Sequence, residues 1–341
     1  MEAFFLNGKK KAGEAFELKP FDPGSISEDE VLIETEAFGL NFADVMSRLG
    51  LYREAPPFPF VPGYEICGRV KSVGKNVSHV IPGDRVLALT RFGGYSRICK
   101  TRAQAVKKIP ESWTPAFACA LGTQACTAIY MTHFLVHLKN AKSAVVSSPA
   151  GGVGSLLVQI IQKNKIPVTG YSGHPEKFSG KEPGMEKILN YKDPEFREML
   201  SREFPDGVDL AFDAVGGKTF KAVLQHLRPG GSIVAYGAAS RAGGGGLFPT
   251  LKLVFGMGFT HPVFLLMKSR SICGVNMLKV GDRRPDILEQ CLNIAVEYGK
   301  EGVLKPLEGK TFSRQHISDA HAWLESGRSS GKTVVTWDSE K

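Results

Sequence analysis

The stretch VVSSPAGGVGSLLVQI, residues 145–160, constrains this chain more than any other. A β-branched run ends at Ser148, glycines stand at 151, 152 and 154, and an apolar helical pattern begins at once. Strand, glycine turn and helix in that order bring unpaired backbone N–H groups and the positive end of a helix dipole to one point. That arrangement suits a pyrophosphate, so Ala150, Gly151, Gly152, Val153 and Gly154 are candidate dinucleotide contacts. The spacing is G-G-x-G rather than G-x-G-x-x-G, and a glycine turn made only for helix–strand packing is the alternative.

The surroundings decide between the two. SAVVSS (143–148), IPVTGYS (166–172), KILNY (187–191), VDLAFDAVG (208–216) and GSIVAYG (231–237) read as strands. Helical patterns at 153–164, 194–204 and 218–227 separate several of them. Such alternation predicts an α/β unit with a doubly wound parallel sheet, whose strand ends border a ligand crevice; Gly237 falls at one such end. An acid closing the second strand would bind the free ribose 2′-hydroxyl of NAD. IPVTGYSGHP carries none, whereas Ser172, Lys177 and Tyr191 offer hydroxyls and a cation suited to a 2′-phosphate, so the expected cofactor is NADP(H).

Residues 1–119 read differently, as short strands punctuated by Gly, Pro and Asn, a compact β-rich unit. CALGTQACTAIYMTHFLVHL (119–138) predicts one long, mostly buried helix. SICGVNM (271–277) predicts a strand, 284–302 a helix, and 317–337 a helix, turn and strand. Gly243–Gly246 predicts a flexible loop.

Composition narrows the function classes. The 341 residues include 38 Gly, where an ordinary share would give about 24; ligand loops and tight turns use such an excess. The net charge of +9 suits phosphate or anionic lipid, with a solvated basic surface as the alternative, and no aromatic-and-basic pattern accompanies it, so no nucleic-acid partner is expected. Six Cys at 67, 99, 119, 126, 273 and 291 form no C-x-x-C, which predicts free thiols in a reducing compartment and a cytoplasmic location. MEAFFLNGKKK lacks the apolar core of a secretory leader. LFPTLKLVFGMGFTHPVFLLM (247–267) is very apolar but interrupted by Pro249, Lys252, His261 and Pro262. It reads as a buried pocket wall or subunit contact, with a membrane-surface element as the alternative.

His133 and His137 are spaced i, i+4 on one predicted helix face, but no acid stands between them, so they are not expected to bind metal. In VPGYEICGRV (61–70) a lone carboxylate, Glu65, sits at a bend beside Tyr64, and the residues alone leave open a metal site, the remains of one, or only a turn.

GLNFADVMSRLGLY (39–52), PFVPGYEICGRVKSVG (59–74), PGDRV (82–86), AGGVG (150–154), FDAVGG (212–217), LRPGGSIVAYG (227–237) and the closing Gly331-Lys332 together resemble the medium-chain dehydrogenase/reductase superfamily. Within it the chain is similar to the zinc-free quinone oxidoreductases (the zeta-crystallin-like branch) and to the subgroup of synaptic vesicle membrane protein homologues. Zinc-dependent members carry Cys near position 41 and G-H-E near 63–65, where this chain has Asn41 and Gly63-Tyr64-Glu65. The resemblance implies a GroES-like β-rich catalytic domain from 1–121 and 273–341, a Rossmann domain from 122–272, and an active site in the cleft between them. It implies a homodimer through Rossmann edge strands. It places Asn41, Asp44 and Tyr52 around the nicotinamide, Thr127 near the cofactor phosphates, and Val275 and Asn276 at the nicotinamide pocket. The activity it implies is hydride transfer from NADPH to a quinone or an α,β-unsaturated carbonyl. The competing reading is an NADPH-binding, lipid- or membrane-associated regulator with little catalytic activity, motivated by the basic clusters and 247–267.

Overall fold

The computed structural model describes residues 1–178, 185–238, 247–307 and 309–337; the side chains of Lys177, Glu186 and 247–250 are outside the described set. The glycine run 243–246 and Pro183 lie outside it too. The chain divides into two units, one of Met1–Cys126, Met277–Gly302 and Pro306–Lys341, the other of Thr127–Asn276 and Val303–Lys305.

Fifteen strands occur among the described residues. Seven open the first unit: β1 (Glu2–Leu6), β2 (Phe16–Pro20), β3 (Glu30–Leu40), β4 (Glu65–Val73), β5 (Arg85–Leu89), β6 (Ile98–Arg102) and β7 (Val106–Lys108). The second unit contributes β8 (Ala144–Ser147), β9 (Val168–Ser172), β10 (Met185–Asn190), β11 (Val208–Asp213), β12 (Leu227–Ala235) and β13 (Ser271–Gly274). The chain then returns to the first unit as β14 (Thr311–Ser313) and β15 (Thr333–Thr336).

In the first unit the sheet order is β14-β15-β3-β4-β5-β7, with β6 also on β3 and β1-β2 as a separate ribbon. β3 explains the core. Its burial alternates, with Val31, Ile33, Thr35 and Ala37 inward, and then stays buried from Phe38 to Leu40. Alternation fits a sheet with one covered face, and the unbroken run marks where both faces are covered. Tyr95 stacks on Phe38 at 4.2 Å, and Phe4 on Trp337 at 5.5 Å, within the main apolar cluster.

The second unit is the predicted doubly wound sheet, six parallel strands in the order β10-β9-β8-β11-β12-β13. The order reverses beside β8, which is the topological switch point where open α/β sheets bind ligands. The helix Gly152–Lys163 buries Leu156, Leu157, Ile160 and Ile161 against it, each contributing about 1.5–3 kcal/mol of burial.

Three expectations are corrected. The region 119–138 is not one helix: helices Pro115–Ala120 and Thr123–Ile129 are followed by a π-helical segment, Tyr130–Leu135, which ends where Val136 turns extended. His137 is therefore past the helix, off the face that carries His133. The apolar 247–267 segment is no buried wall. It forms two helices, Leu247–Met257 and Pro262–Lys268, with Phe255, Phe259, Phe264, Leu266 and Met267 all at least 62% exposed. The predicted strand at 271–277 is shorter, ending at Gly274.

Candidate active site

Three strand ends meet in the first unit. β15 pairs antiparallel with β3 so that Thr333 faces Leu40, and β3 pairs with β4 so that Phe38 faces Ile66. This register brings Asn41, Glu65 and Lys332 together, although 291 residues separate the first from the last. Asn41 Nδ2 donates to Glu65 Oε1 at 2.7 Å, and Lys332 Nζ donates to Asn41 Oδ1 at 2.9 Å. Lys332 also forms an ion pair with Glu65; the side chains are 1% and 0% exposed. The Thr123 N–H gives Glu65 Oε2 a further bond at 2.9 Å. Buried charges are tolerated when paired and hydrogen-bonded in this way. Glu65 is thus paired with a cation, and Asn41 has its amide orientation fixed from both ends. An amide nitrogen carries two hydrogens, and one is committed to Glu65.

Gly39 makes the arrangement possible. A Cβ there would lie 2.4 Å from both Glu65 Oε1 and Lys332 Cε.

Asp44 is fully buried at the third position of the helix Phe42–Arg48. Its Oδ2 accepts the Asn41 N–H at 2.8 Å, and its Oδ1 the Gly63 N–H at 3.1 Å. The first bond is one half of a capping box. Burial pushes the Asp44 carboxyl up to about 7, with the Glu65 charge adding to the rise and the two N–H donors and Lys332 opposing it. Tyr52 is half-buried and meets Tyr64 edge-on, ring centres 6.2 Å apart. Burial raises the Tyr52 phenol to about 12 and that of Tyr64 further. Both keep their protons at neutral pH, so Tyr52 can donate one. Asn41, Asp44 and Tyr52 thus fall in one neighbourhood of the first unit.

Around position 41, Glu65 already pairs with a buried ammonium, Tyr64 is held protonated, and the Asn41 amide oxygen and one of its two amide hydrogens are engaged. Among the described residues no group of three His, Cys, Asp or Glu is placed to hold a metal.

The second unit holds the glycine turn. Ser148 adopts a left-handed conformation (φ 47°) and its carbonyl accepts the Gly151 N–H at 2.8 Å. A Cβ on Gly154 would stand 2.3 Å from the Ser148 carbonyl oxygen, so only glycine lets the helix start this close to β8. Ala150 through Val153 are half-buried, leaving the helix N-terminus accessible. The turn suits an anionic pyrophosphate.

At the end of β9, Ser172 Oγ accepts the His174 N–H at 3.1 Å, and the Tyr191 N–H bonds the Ser172 carbonyl at 3.1 Å. A Cβ on Gly173 would meet the Tyr191 hydroxyl at 2.7 Å and Lys192 Cε at 2.8 Å. Lys192 Nζ lies 3.1 Å from His174 Nε2. Sequence reasoning missed His174 and Lys192; their closeness to the end of the second strand was the available signal. Lys177 ends a 3₁₀ turn, Pro175–Lys177. Thr127 is 8% exposed, and Gly237 approaches Ala214 so closely that a Cβ would lie 2.8 Å from its carbonyl oxygen. The Val275 N–H bonds the Ala235 carbonyl at 2.9 Å, with Asn276 next in the chain. Asp213, also missed, is buried at the end of β11. It takes the Tyr171 hydroxyl and the Val215 and Gly216 N–H groups, which marks it as a brace for the turn.

A GroES-like all-β sheet joined to a parallel sheet with a glycine turn at its switch point defines a two-domain dehydrogenase architecture. The alcohol dehydrogenase GroES-like domain family matches residues 27–140 and the zinc-binding dehydrogenase family residues 184–335. The chain belongs to the medium-chain dehydrogenase/reductase superfamily. It is 28% identical over 320 residues to a synaptic vesicle membrane protein VAT-1 homolog of Danio rerio, a match spanning 93% of this chain and 66% of that protein. It is 27% identical to a quinone oxidoreductase-like protein 2 of Mus musculus over 92% of this chain and 87% of the relative. The fold matches that of an Escherichia coli quinone oxidoreductase solved with NADPH, at a TM-score of 0.84, 24% identity, and 98% and 100% coverage.

Proposed function

We propose that the protein is an NADPH-dependent, zinc-independent oxidoreductase that reduces a quinone or an α,β-unsaturated carbonyl. The observation that carries this is the buried Asn41–Glu65–Lys332 cluster, which puts a polarising amide and a fixed positive charge where zinc-dependent relatives hold metal ligands. The NADPH-bound and quinone-oxidoreductase relatives support the same reading.

The Ser148–Gly154 turn and the helix behind it receive the pyrophosphate. Ser172 and Lys192 offer a hydroxyl and a cation for a 2′-phosphate, and the acid nearest the end of β9, Glu176, is taken up by His174 at 2.9 Å, which supports NADPH over NADH. NADPH, when bound, supplies the hydride. Lys332 and Glu65 orient the Asn41 amide so that its second Nδ2 hydrogen can hold an acceptor oxygen as negative charge grows on it. Tyr52, protonated at neutral pH, donates the proton that completes reduction.

The test is NADPH oxidation by the purified protein with a quinone and with an enone, NADH as control, before and after treatment with a chelator. Turnover is expected with NADPH well above NADH, unchanged by the chelator and lowered at least tenfold by Tyr52→Phe. Tight NADPH binding without oxidation across a broad acceptor panel would sink the enzyme reading in favour of the regulator.

A further inference from the structure

The turn after β9 holds a chain of three ionisable side chains. His174 Nδ1 lies 2.9 Å from Glu176 Oε1, and His174 Nε2 lies 3.1 Å from Lys192 Nζ. An ammonium has hydrogens to give and no lone pair, so Nε2 accepts from Lys192. The ring hydrogen then sits on Nδ1 and is donated to Glu176. The imidazole is neutral in this arrangement, held between a carboxylate and an ammonium. Backbone fixes both ends: the His174 N–H donates to Ser172 Oγ at 3.1 Å, and the Lys192 N–H to Asn190 Oδ1 at 3.0 Å. Two other titratable groups stand close by. Tyr191 has its phenol raised by burial and stays uncharged at neutral pH. Asp193 uses its carboxylate to accept the Glu195 N–H at 2.8 Å.

Charge decides what this trio does when a 2′-phosphate arrives. Lys192 and Glu176 cancel, and the neutral ring adds nothing. A phosphate monoester brings a charge of about −1.5 to −2 at neutral pH, and its oxygens mainly accept. It competes with Nε2 for the Lys192 hydrogens. The lone pair left on Nε2 then faces anionic oxygens, a repulsive contact. One proton taken from solvent onto Nε2 reverses that. The ring becomes a second donor cation beside the phosphate, still bonded to Glu176 through Nδ1. Glu176, which alone would repel the phosphate, becomes the imidazolium's counter-ion. A ribose 2′-hydroxyl is uncharged and can itself donate to a neutral Nε2, so it requires no proton.

We propose that binding of the NADPH 2′-phosphate is coupled to the uptake of one proton by His174, so that discrimination against NADH sharpens as pH falls. The inference rests on the reading of the glycine turn and the end of β9 as an NADPH site.

The full chain is titrated calorimetrically with NADPH and with NADH, in buffers of different ionisation enthalpy, between about pH 6.5 and 8.5. NADPH is expected to take up protons, approaching one per nucleotide, and NADH none. NADPH affinity should tighten as pH falls, by at most about tenfold per unit. His174→Gln should abolish the uptake and flatten the pH dependence without moving the melting temperature. His174→Lys, which keeps its charge throughout the range, should bind NADPH tightly with no uptake. A phosphate that merely shed its own proton on binding would give release instead. Proton release, or uptake that survives His174→Gln, overturns the proposal and leaves the NADPH site standing. Failure to bind NADPH at all removes the site and the proposal together.

Discussion

Replacing Lys332 by Met tests whether the buried cluster is held by charge. Lys332 and Glu65 are 1% and 0% exposed, so Lys332→Met leaves a carboxylate without its counter-ion and without access to water. Breaking a buried pair from one side costs about 3–5 kcal/mol. For a unit of this size that lowers the unfolding midpoint by between roughly 6 and 20 °C. The double variant Glu65→Gln/Lys332→Met buries no net charge and should lose less than the two single variants summed. Urea unfolding of all four proteins from pH 5 to pH 8, followed by Trp fluorescence, measures these quantities. If Lys332→Met costs under about 1 kcal/mol, or the double variant is strictly additive, the cluster is not held by the pair and the reasoning fails.

Gly39→Ala should destabilise the same unit by about 1–3 kcal/mol, because its Cβ would displace the Glu65 carboxylate and Lys332 stem; thermal melts check this. Asp44, raised to about 7 by burial, holds more proton folded than unfolded between pH 4 and 7. Its contribution to stability is thus full below pH 4 and is lost as pH climbs to 7; Asp44→Asn should remove that part of the slope in the urea series. Gly154→Ala drives a Cβ into the Ser148 carbonyl and should weaken NADPH binding at least tenfold in a fluorescence titration. Lys192→Glu should weaken NADPH binding severalfold and leave NADH nearly unchanged, which isothermal titration of both cofactors would show.

What was readable in the sequence was local. The Ser148–Gly154 turn announces itself because strand, glycines and helix are contiguous, and the parallel sheet follows from the period change between neighbouring segments. Asp44 was readable as a helix-start residue from its place after Asn41. The partner of Glu65 was not readable, because Lys332 reaches it only through the register of β15 on β3, a tertiary fact. The change to π-helical winding at Tyr130 was hidden because a π-helical turn keeps the apolar composition of an α-helix. For 247–267 the exposure overturns the pocket wall and leaves the subunit contact as an expectation: hydropathy reports what a residue prefers, and says nothing about whether the fold of one chain supplies the neighbour.

The joining of β3, β4 and β15 has a consequence for synthesis. Lys332 emerges 291 residues after Asn41, which at about 5–20 residues per second is roughly 15–60 s. Glu65 therefore waits, a carboxylate without its cation, while all of Thr127–Asn276 is made and can fold as a unit. A nascent chain stalled before Lys332 should present a protease with a closed second unit and a first unit still open at the junction of β3, β4 and β15.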